Sequence, residues 1–218
     1  FCLLANIAVA IEHSIKNKLG KKFCVIDWDV HHGNGTEAIF YNRNDVLTIS
    51  IHQERNYPVD TGMETHQGKQ EGLGYNVNLP LPAGSGHQAY LNLFDRVIDP
   101  IVSNYSPDII IVACGFDAAM IDPLSSMLCS AETFRLLTRK AQKLADEQCN
   151  GKLALVHEGG YSEVYVPFCG HAVLEELSGS QIIAKDPYEE LFNLRQPGSR
   201  FENMINELLN DWEELFLK

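Results

Sequence analysis

The sequence predicts an α/β domain in three layers, with helices covering both faces of a mainly parallel sheet. Two observations carry this expectation. The strand-like runs at 23–27, 46–51 and 108–113 are apolar nearly throughout and do not alternate with polar residues, as expected of strands buried on both faces. Between them lie segments whose apolar residues recur at helical spacing, the pattern of parallel strands joined by crossover helices. The 218 residues suffice for one such domain, spanning 1–218.

Taken in order, an apolar helical pattern runs from Leu3 to Lys18 and is closed by Gly20. It starts abruptly, with Phe1-Cys2-Leu3-Leu4 entering the pattern at once, so the N-terminus reads as a cut edge. Phe23-Cys24-Val25-Ile26-Asp27 is the first strand and Val46 to Ile51 the second, and a shorter third is expected near Tyr75 to Leu79. Tyr90, Phe94, Val97, Ile98 and Ile101 have helical spacing and lead into the strand Asp108 to Ala113. Ser130 is placed to cap a helix carrying Phe134, Leu137, Ala141 and Leu144, with Glu132 in its first turn. Lys152 to Val156 is the next strand, and a helix from about Glu163 to Leu177 ends at Gly179. At the end of the chain, Met204, Ile205, Leu208, Leu209, Trp212 and Leu215 form an amphipathic helix over 201–218, expected to pack on the domain.

Composition narrows the function. Lysine and arginine number 17 against 29 acidic residues, a formal charge of −12, which argues against a general nucleic-acid backbone binder. Six cysteines lack C-x-x-C spacing and several sit in strand-like runs, so they read as free thiols of a reducing compartment, and cytoplasm is the expected location. No apolar run has the length of a membrane span, and no membrane partner is expected. Homo-oligomerisation stays open.

In a parallel sheet, ligands gather at the carboxyl ends of the strands. Three strand ends carry polar residues: Asp27-Trp28-Asp29-Val30-His31-His32-Gly33-Asn34-Gly35, then Cys114-Gly115-Phe116-Asp117, then His157-Glu158-Gly159-Gly160-Tyr161. Two positions apart on an extended segment, Asp29 and His31 would point to the same side. Asp117 arrives from another strand of the same sheet. The set Asp29, His31 and Asp117 suits Zn²⁺ or Fe²⁺ with a coordination position left open. A metal there leaves a position open for water and a substrate carbonyl, and the Tyr161 phenol follows a neighbouring strand end. Gly159 and Gly160 are expected to give the turn the freedom to aim that phenol.

These segments together resemble the histone deacetylase family, which includes the bacterial acetoin-utilisation and acetylpolyamine amidohydrolase branches. The resemblance runs from Phe1 to about Leu174 and implies the arginase/deacetylase fold. It implies that Asp29, His31 and Asp117 are ligands of Zn²⁺, with Fe²⁺ as the alternative, and that Tyr161 is the catalytic tyrosine. Phe1, Tyr57, Gly160 and Leu124 would line the acyl-lysine tunnel and its rim. By the same resemblance Asp27, Asp29, His31, Ser50 and Ile51 would surround a structural K⁺, and Phe40 and Val46 would contribute to a second monovalent site, where Arg43 replaces a smaller residue. Asp27 and Asn34 match residues that orient an adjacent histidine pair, the family's general acid/base. That pair is expected upstream of Phe1 together with the family's N-terminal part, so these 218 residues alone are expected to bind metal yet hydrolyse almost nothing.

The implied activity is hydrolysis of acetyl-lysine-type amides, with acetylpolyamines as the alternative substrate and a non-catalytic acyl-ligand or protein-binding module as the rival from another class. Leu124 stands where a polyamine-directed rim would carry an acid, which favours acetylated lysine. The arginase branch needs further carboxylates at positions held here by Gly33 and Ala119, which disfavours a two-metal site. Among other histidines, His13 is assigned to a helix, His66 and His87 to Gly-rich loops, and His171 to an amphipathic helix, all as surface or packing residues. His32 and His157 neighbour the site, and His52 is expected on the cleft floor. The long loop from Gln53 to Gly74 is a candidate binding rim, with Tyr57-Pro58 its substrate-touching part.

Overall fold

The computed structural model describes residues 3–217. Among them five strands form one sheet: β1 (Phe23–Asp27), β2 (Val46–Gln53), β3 (Asn76–Leu81), β4 (Ile109–Cys114) and β5 (Leu153–His157). Their spatial order is β3-β2-β1-β4-β5 and every pairing is parallel, with Phe23 opposite both Val46 and Ile109. The chain lays β2 and β3 on one side of β1, then crosses to lay β4 and β5 on the other. The connections from β1 and β4 therefore leave in opposite directions, opening a crevice beyond the carboxyl ends of the two central strands.

Side chains of the central strands divide between two cores. Cys24, Ile26, Leu47, Ile49, Ile110 and Val112 face the larger one, while Phe23, Val25, Val46 and Ile111 face a smaller one with Ile7, Ala8 and Ile11. A pleated strand sends successive residues to opposite faces, so a strand that is apolar at every position needs cover on both sides. The smaller core is covered by α1 (Asn6–Lys16) and the larger by α3 (His87–Leu93), α4 (Asp99–Tyr105) and α5 (Ala131–Cys149), giving the expected three layers.

Several element ends differ from the sequence expectation. Helix α1 begins at Asn6 because Leu3 and Leu4 lie exposed, and extending a helix without packing gains little. It closes through Lys18 in the left-handed region (φ 59°), not through Gly20, which instead permits close approach to Asp108. The helix expected from Glu163 starts at Val166, just before Pro167, and ends at Gly179 as anticipated (α6, Val166–Ser178; φ 65° at Gly179). Two short helices were not anticipated, α2 (Asn34–Phe40) and α7 (Glu189–Leu194), each too brief for its periodicity to stand out. Between α3 and α4 a π turn (Phe94–Ile98) precedes Pro100, whose ring and missing N–H interrupt the ordinary hydrogen-bond ladder. Ser130 caps α5 as expected, its Oγ accepting from Thr133 N while Thr133 Oγ1 accepts from Ser130 N (3.0 Å).

The C-terminal helix α8 (Ser199–Phe216) buries Ile205, Leu209 and Trp212 against the π turn and α3, leaving Met204 and Leu215 exposed. Arg96 of the π turn reaches across to Glu213 (2.7 Å), Asn206 (3.2 Å) and Asn210 (2.5 Å). Among the described residues no helix is long and apolar enough to cross a membrane. Because Leu209 is fully enclosed by the domain, Leu209→Ala is expected to cost about 2–5 kcal/mol in chemical denaturation, whereas a helix held in reserve for a partner would lose almost nothing.

Candidate active site

At the end of β1 two carboxylate-to-backbone turns follow one another. Asp27 Oδ1 accepts from Asp29 N (3.0 Å), and Asp29 Oδ1 accepts from His31 N (2.9 Å). An aspartate bonding the amide two residues on folds the chain. Asp29 and His31 therefore converge in a bend and not by the alternation of an extended strand. Asp117, on the loop after β4, accepts from Val30 N through Oδ1 (2.8 Å) and so joins the two strand ends. Its Oδ2 lies 2.9 Å from His31 Nδ1, which is also 3.1 Å from Asp29 Oδ1. One ligand atom from each of the three residues lies within 4.8 Å of the others.

The electrostatics of this cluster follow from its crowding. Asp117 is fully buried, and burial pushes its carboxyl up to about 6. Burial pushes Asp29 the same way, but the imidazole of His31 and the amides of His31 and Gly159 outweigh it and hold the group below its ordinary value. Hydrogen bonding to Asp117, then to Asp29, raises His31 to about 10. Behind them Asp27 is held well above the carboxylate range by burial and by the charge of Asp29. The protein alone thus recruits a proton as counter-charge, and a donor set of two carboxylates and one Nδ1 fits a divalent cation in that role.

Glycines make the convergence possible. A Cβ at Gly159 would stand 2.1 Å from Asp117 Oδ2 and 2.5 Å from Asp29 Oδ2, and the Gly159 amide donates to Asp29 Oδ2 (2.7 Å). Gly159 is thus required by close approach, which corrects the expectation that it supplies turn freedom. Gly160, at φ 138°, does have the backbone that favours glycine.

A cleft of about 480 Å³ opens over the cluster, with Asp27, His31, Asn34, Tyr57, His157 and Tyr161 in its wall. Tyr57 and Tyr161 each stand edge-on to His31, with ring centroids at 6.5 Å and 6.4 Å, and both are open to solvent. Leu124 is exposed on the loop after Asp117 and is tied to the Tyr57 loop by Asn56 Nδ2 donating to its carbonyl (3.2 Å). Neither Leu124 nor Gly160, both expected at the tunnel or its rim, is among the residues that line the cleft. Phe1, expected as a tunnel aromatic, lies outside the described residues. Ser50 and Ile51 are buried, Ser50 Oγ accepting from Gly33 N (3.2 Å).

Two histidines are placed differently from expectation. His52 is not on the cleft floor: it is buried, with Nδ1 on Ser50 Oγ (3.0 Å) and Nε2 on the Gly62 carbonyl (2.9 Å), and burial lowers it to about 4. His87 opens helix α3 instead of sitting in a loop, and its Nδ1 meets Thr133 Oγ1 (2.9 Å). His13 and His171 lie on helices as expected, and His171 pairs with Glu175 (2.6 Å).

Three residues escaped the sequence reading. Glu37 Oε2 receives His32 Nε2 (3.1 Å), Asn76 Nδ2 (2.8 Å) and Asn78 Nδ2 (2.7 Å), so α2 is bound to β3 behind the site. The other ring nitrogen of His32 meets Thr61 Oγ1 (3.0 Å), which donates to the Pro58 carbonyl (2.7 Å) and anchors the loop bearing Tyr57. Asp122 accepts the amides of Tyr161 and Leu124. Of these, only Asp122 carried a local signal, an aspartate directly before proline that marks a turn.

Residues 1–177 match the histone deacetylase domain. The chain belongs to the histone deacetylase family. It is 44% identical over 211 residues to a histone deacetylase-like amidohydrolase of Pseudomonas aeruginosa, covering 97% of this chain and 56% of that protein. A probable deacetylase of Archaeoglobus fulgidus is 36% identical over 210 residues, covering 96% and 54%. The fold superimposes on the crystal structure of the HDA15 HD domain with a TM-score of 0.79 at 33% identity, over 99% of this chain and 56% of that one. The histone deacetylase-type chain described here therefore spans about half the length of the curated relatives it matches, and its α/β fold is that of the deacetylase domains.

Two outcomes follow from this geometry. Gly159→Ala is expected to force Asp29 and Asp117 apart and to lower the affinity of this cluster for a divalent cation at least about tenfold, measured by calorimetric titration with Zn²⁺. Burial opposes ionisation of Glu37, but His32, Asn78 and Asn76 outweigh it and depress the group to about 2. A depressed carboxyl contributes stability above its unfolded value and loses it as pH falls through the folded one. The stability difference between wild type and Glu37→Gln in urea titrations is therefore expected to hold above about pH 4.5 and to vanish towards pH 2.

Proposed function

We propose that the protein hydrolyses acetyl-lysine-type amides in a zinc-dependent reaction, with Asp29, His31 and Asp117 as ligands and Tyr161 as donor to the amide oxygen. The observation that carries this reading is the convergence of the three donor atoms within 4.8 Å of one another at the base of a cleft flanked by Tyr57 and Tyr161. The mixed nitrogen and oxygen donors suit both ions; zinc is the reading taken, with Fe²⁺ the alternative. Bound there, it supplies a Lewis acid and lowers the pKa of a water molecule.

The chain's own residues supply the rest. Asp29 and Asp117 hold their oxygens in place by accepting Gly159 N and Val30 N, so little reorganisation is needed when a cation binds. Tyr161 overlooks His31 from the cleft wall, where its hydroxyl can donate to the carbonyl oxygen as negative charge builds on it. Tyr57 also stands edge-on to the imidazole, and two aromatic rings beside it suit the slim methylene chain of a lysine. Leu124 keeps the rim apolar, which favours an acetylated lysine over an acetylpolyamine, whose amines would be better received by an exposed acid.

A structural K⁺ beneath the zinc site, held by Asp27, Asp29, His31, Ser50 and Ile51, belongs to the same proposal. The buried Asp27 supports it, because a carboxyl held that far above its ordinary range beside Asp29 favours a nearby cation. At the second monovalent site the Arg43 guanidinium lies over the Phe40 ring (5.2 Å) and pairs with Asp45 and Glu12, so a cation is already supplied covalently. The histidines in the cleft wall are His31, His32 and His157. His31 is assigned to the metal, His32 is engaged by Thr61 and Glu37, and His157 lies against Phe116. None of the three is assigned as the general base, and these 218 residues alone are expected to bind zinc with almost no turnover. Five buried free cysteines among the described residues support a reducing, cytoplasmic setting.

The test is zinc content together with turnover of a fluorogenic acetyl-lysine amide by the full-length protein. Asp29→Ala, His31→Ala and Asp117→Ala are each expected to abolish zinc binding and activity. Tyr161→Phe is expected to keep the zinc and lose on the order of a hundredfold in kcat. Stoichiometric zinc with no turnover by the wild type would instead identify a binding module.

A further inference from the structure

We infer that Asp122 is a positioning residue of the active site, a clamp that fixes the main chain of Tyr161 and the substrate rim at Leu124 with one side chain. The inference rests on the proposed role of Tyr161. Asp122 is buried, and each of its carboxylate oxygens accepts one main-chain amide: Oδ2 that of Tyr161 (2.6 Å), Oδ1 that of Leu124 (2.9 Å). Its own amide donates to the Ala119 carbonyl (2.9 Å), so the clamp is anchored on the loop that carries Asp117.

Tyr161 depends on this contact because of where it sits. The residue before it is Gly160, at φ 138°, a backbone with wide freedom. On the far side of Gly160 the chain is fixed to the metal cluster, since Gly159 N donates to Asp29 Oδ2 and Phe116 N donates to the Gly159 carbonyl (2.8 Å). Beyond Tyr161 the turn from Ser162 leads into α6. The phenol itself stands at the solvent-exposed mouth of the cleft, where packing encloses it only in part. The Tyr161 amide is thus a point at which the protein constrains the side chain after a flexible residue, and a charged acceptor makes that bond a strong one.

The second oxygen extends the same control to the rim. Holding Leu124 N, it fixes the loop whose carbonyl receives Asn56 from the Tyr57 side. One buried carboxylate thereby sets the distance between the oxyanion donor and the lip of the tunnel, and an amide in its place could accept through only one oxygen.

The experiment compares Asp122→Asn, which keeps the shape, and Asp122→Ser, which shortens it, in the zinc-loaded full-length protein. Because the clamp acts through Tyr161, Asp122→Asn is expected to lower kcat at least about tenfold with KM within about threefold and zinc stoichiometry intact. In a Tyr161→Phe background the same substitution should then cost less than about twofold. Amide hydrogen exchange, which needs no turnover, should accelerate at Tyr161 and Leu124 in both Asp122 variants while the amides of β1 and β4 stay protected. Unchanged kcat and exchange would overturn the inference, as would an equal loss in the Tyr161→Phe background, which would mark a general structural effect. An inactive wild type, or a Tyr161→Phe variant as active as wild type, would sink the proposed function instead, and exchange at the two amides would still decide the clamp.

Discussion

Two aspartates that approach one imidazole in a buried place cannot both keep their charge without a positive partner, and the architecture around Asp29, Asp117 and His31 is organised by that constraint. The cluster lies at the crevice beyond β1 and β4, where connections leave the sheet in opposite directions and side chains from two strands can meet. Main-chain amides of Val30, His31 and Gly159 each donate to one of the two carboxylates, which fixes the oxygens without neutralising them. The positive charge still missing sets what the site can do: it accepts a proton when nothing better is offered and suits a divalent cation far more closely.

Around this cluster the cleft is supported by buried and half-buried polar residues. Glu37 binds α2 to β3 and holds His32, whose other nitrogen supports the loop of Tyr57 through Thr61. Asp122 does the corresponding work on the opposite wall, between Tyr161 and Leu124. The loop of each exposed tyrosine is thus tied to a carboxylate, half-buried in Glu37 and buried in Asp122. Such shielding matters because a hydrogen bond kept from water holds its geometry more firmly than one at the surface.

Much of this was legible before any coordinates. The apolar strands predicted a parallel sheet, and asking which polar residues follow each strand led to Asp29, His31, Asp117 and Tyr161. Glu37 and Thr61 were not legible because a lone glutamate on a seven-residue helix and a threonine in a long loop look like ordinary surface residues. Gly159 was noticed for the wrong reason, since a sequence shows that a side chain is missing but not which atoms occupy the space. His52 was placed on the cleft floor by its position after β2, yet the turn at Gly62 closes over it.

The sequence by itself determined the periodicities, and with them the layers, the strand ends and the kinds of donor found there, because these depend on neighbours along the chain. Only the tertiary structure decided that Asp117 Oδ1 joins the two strands while Oδ2 turns to His31, that a Cβ at Gly159 would collide with both aspartates, and that Asp122 spans two loops. The reason is physical. Contacts between residues 39 or 87 positions apart depend on the handedness of crossovers and the packing of whole layers, which no local pattern of residue types encodes.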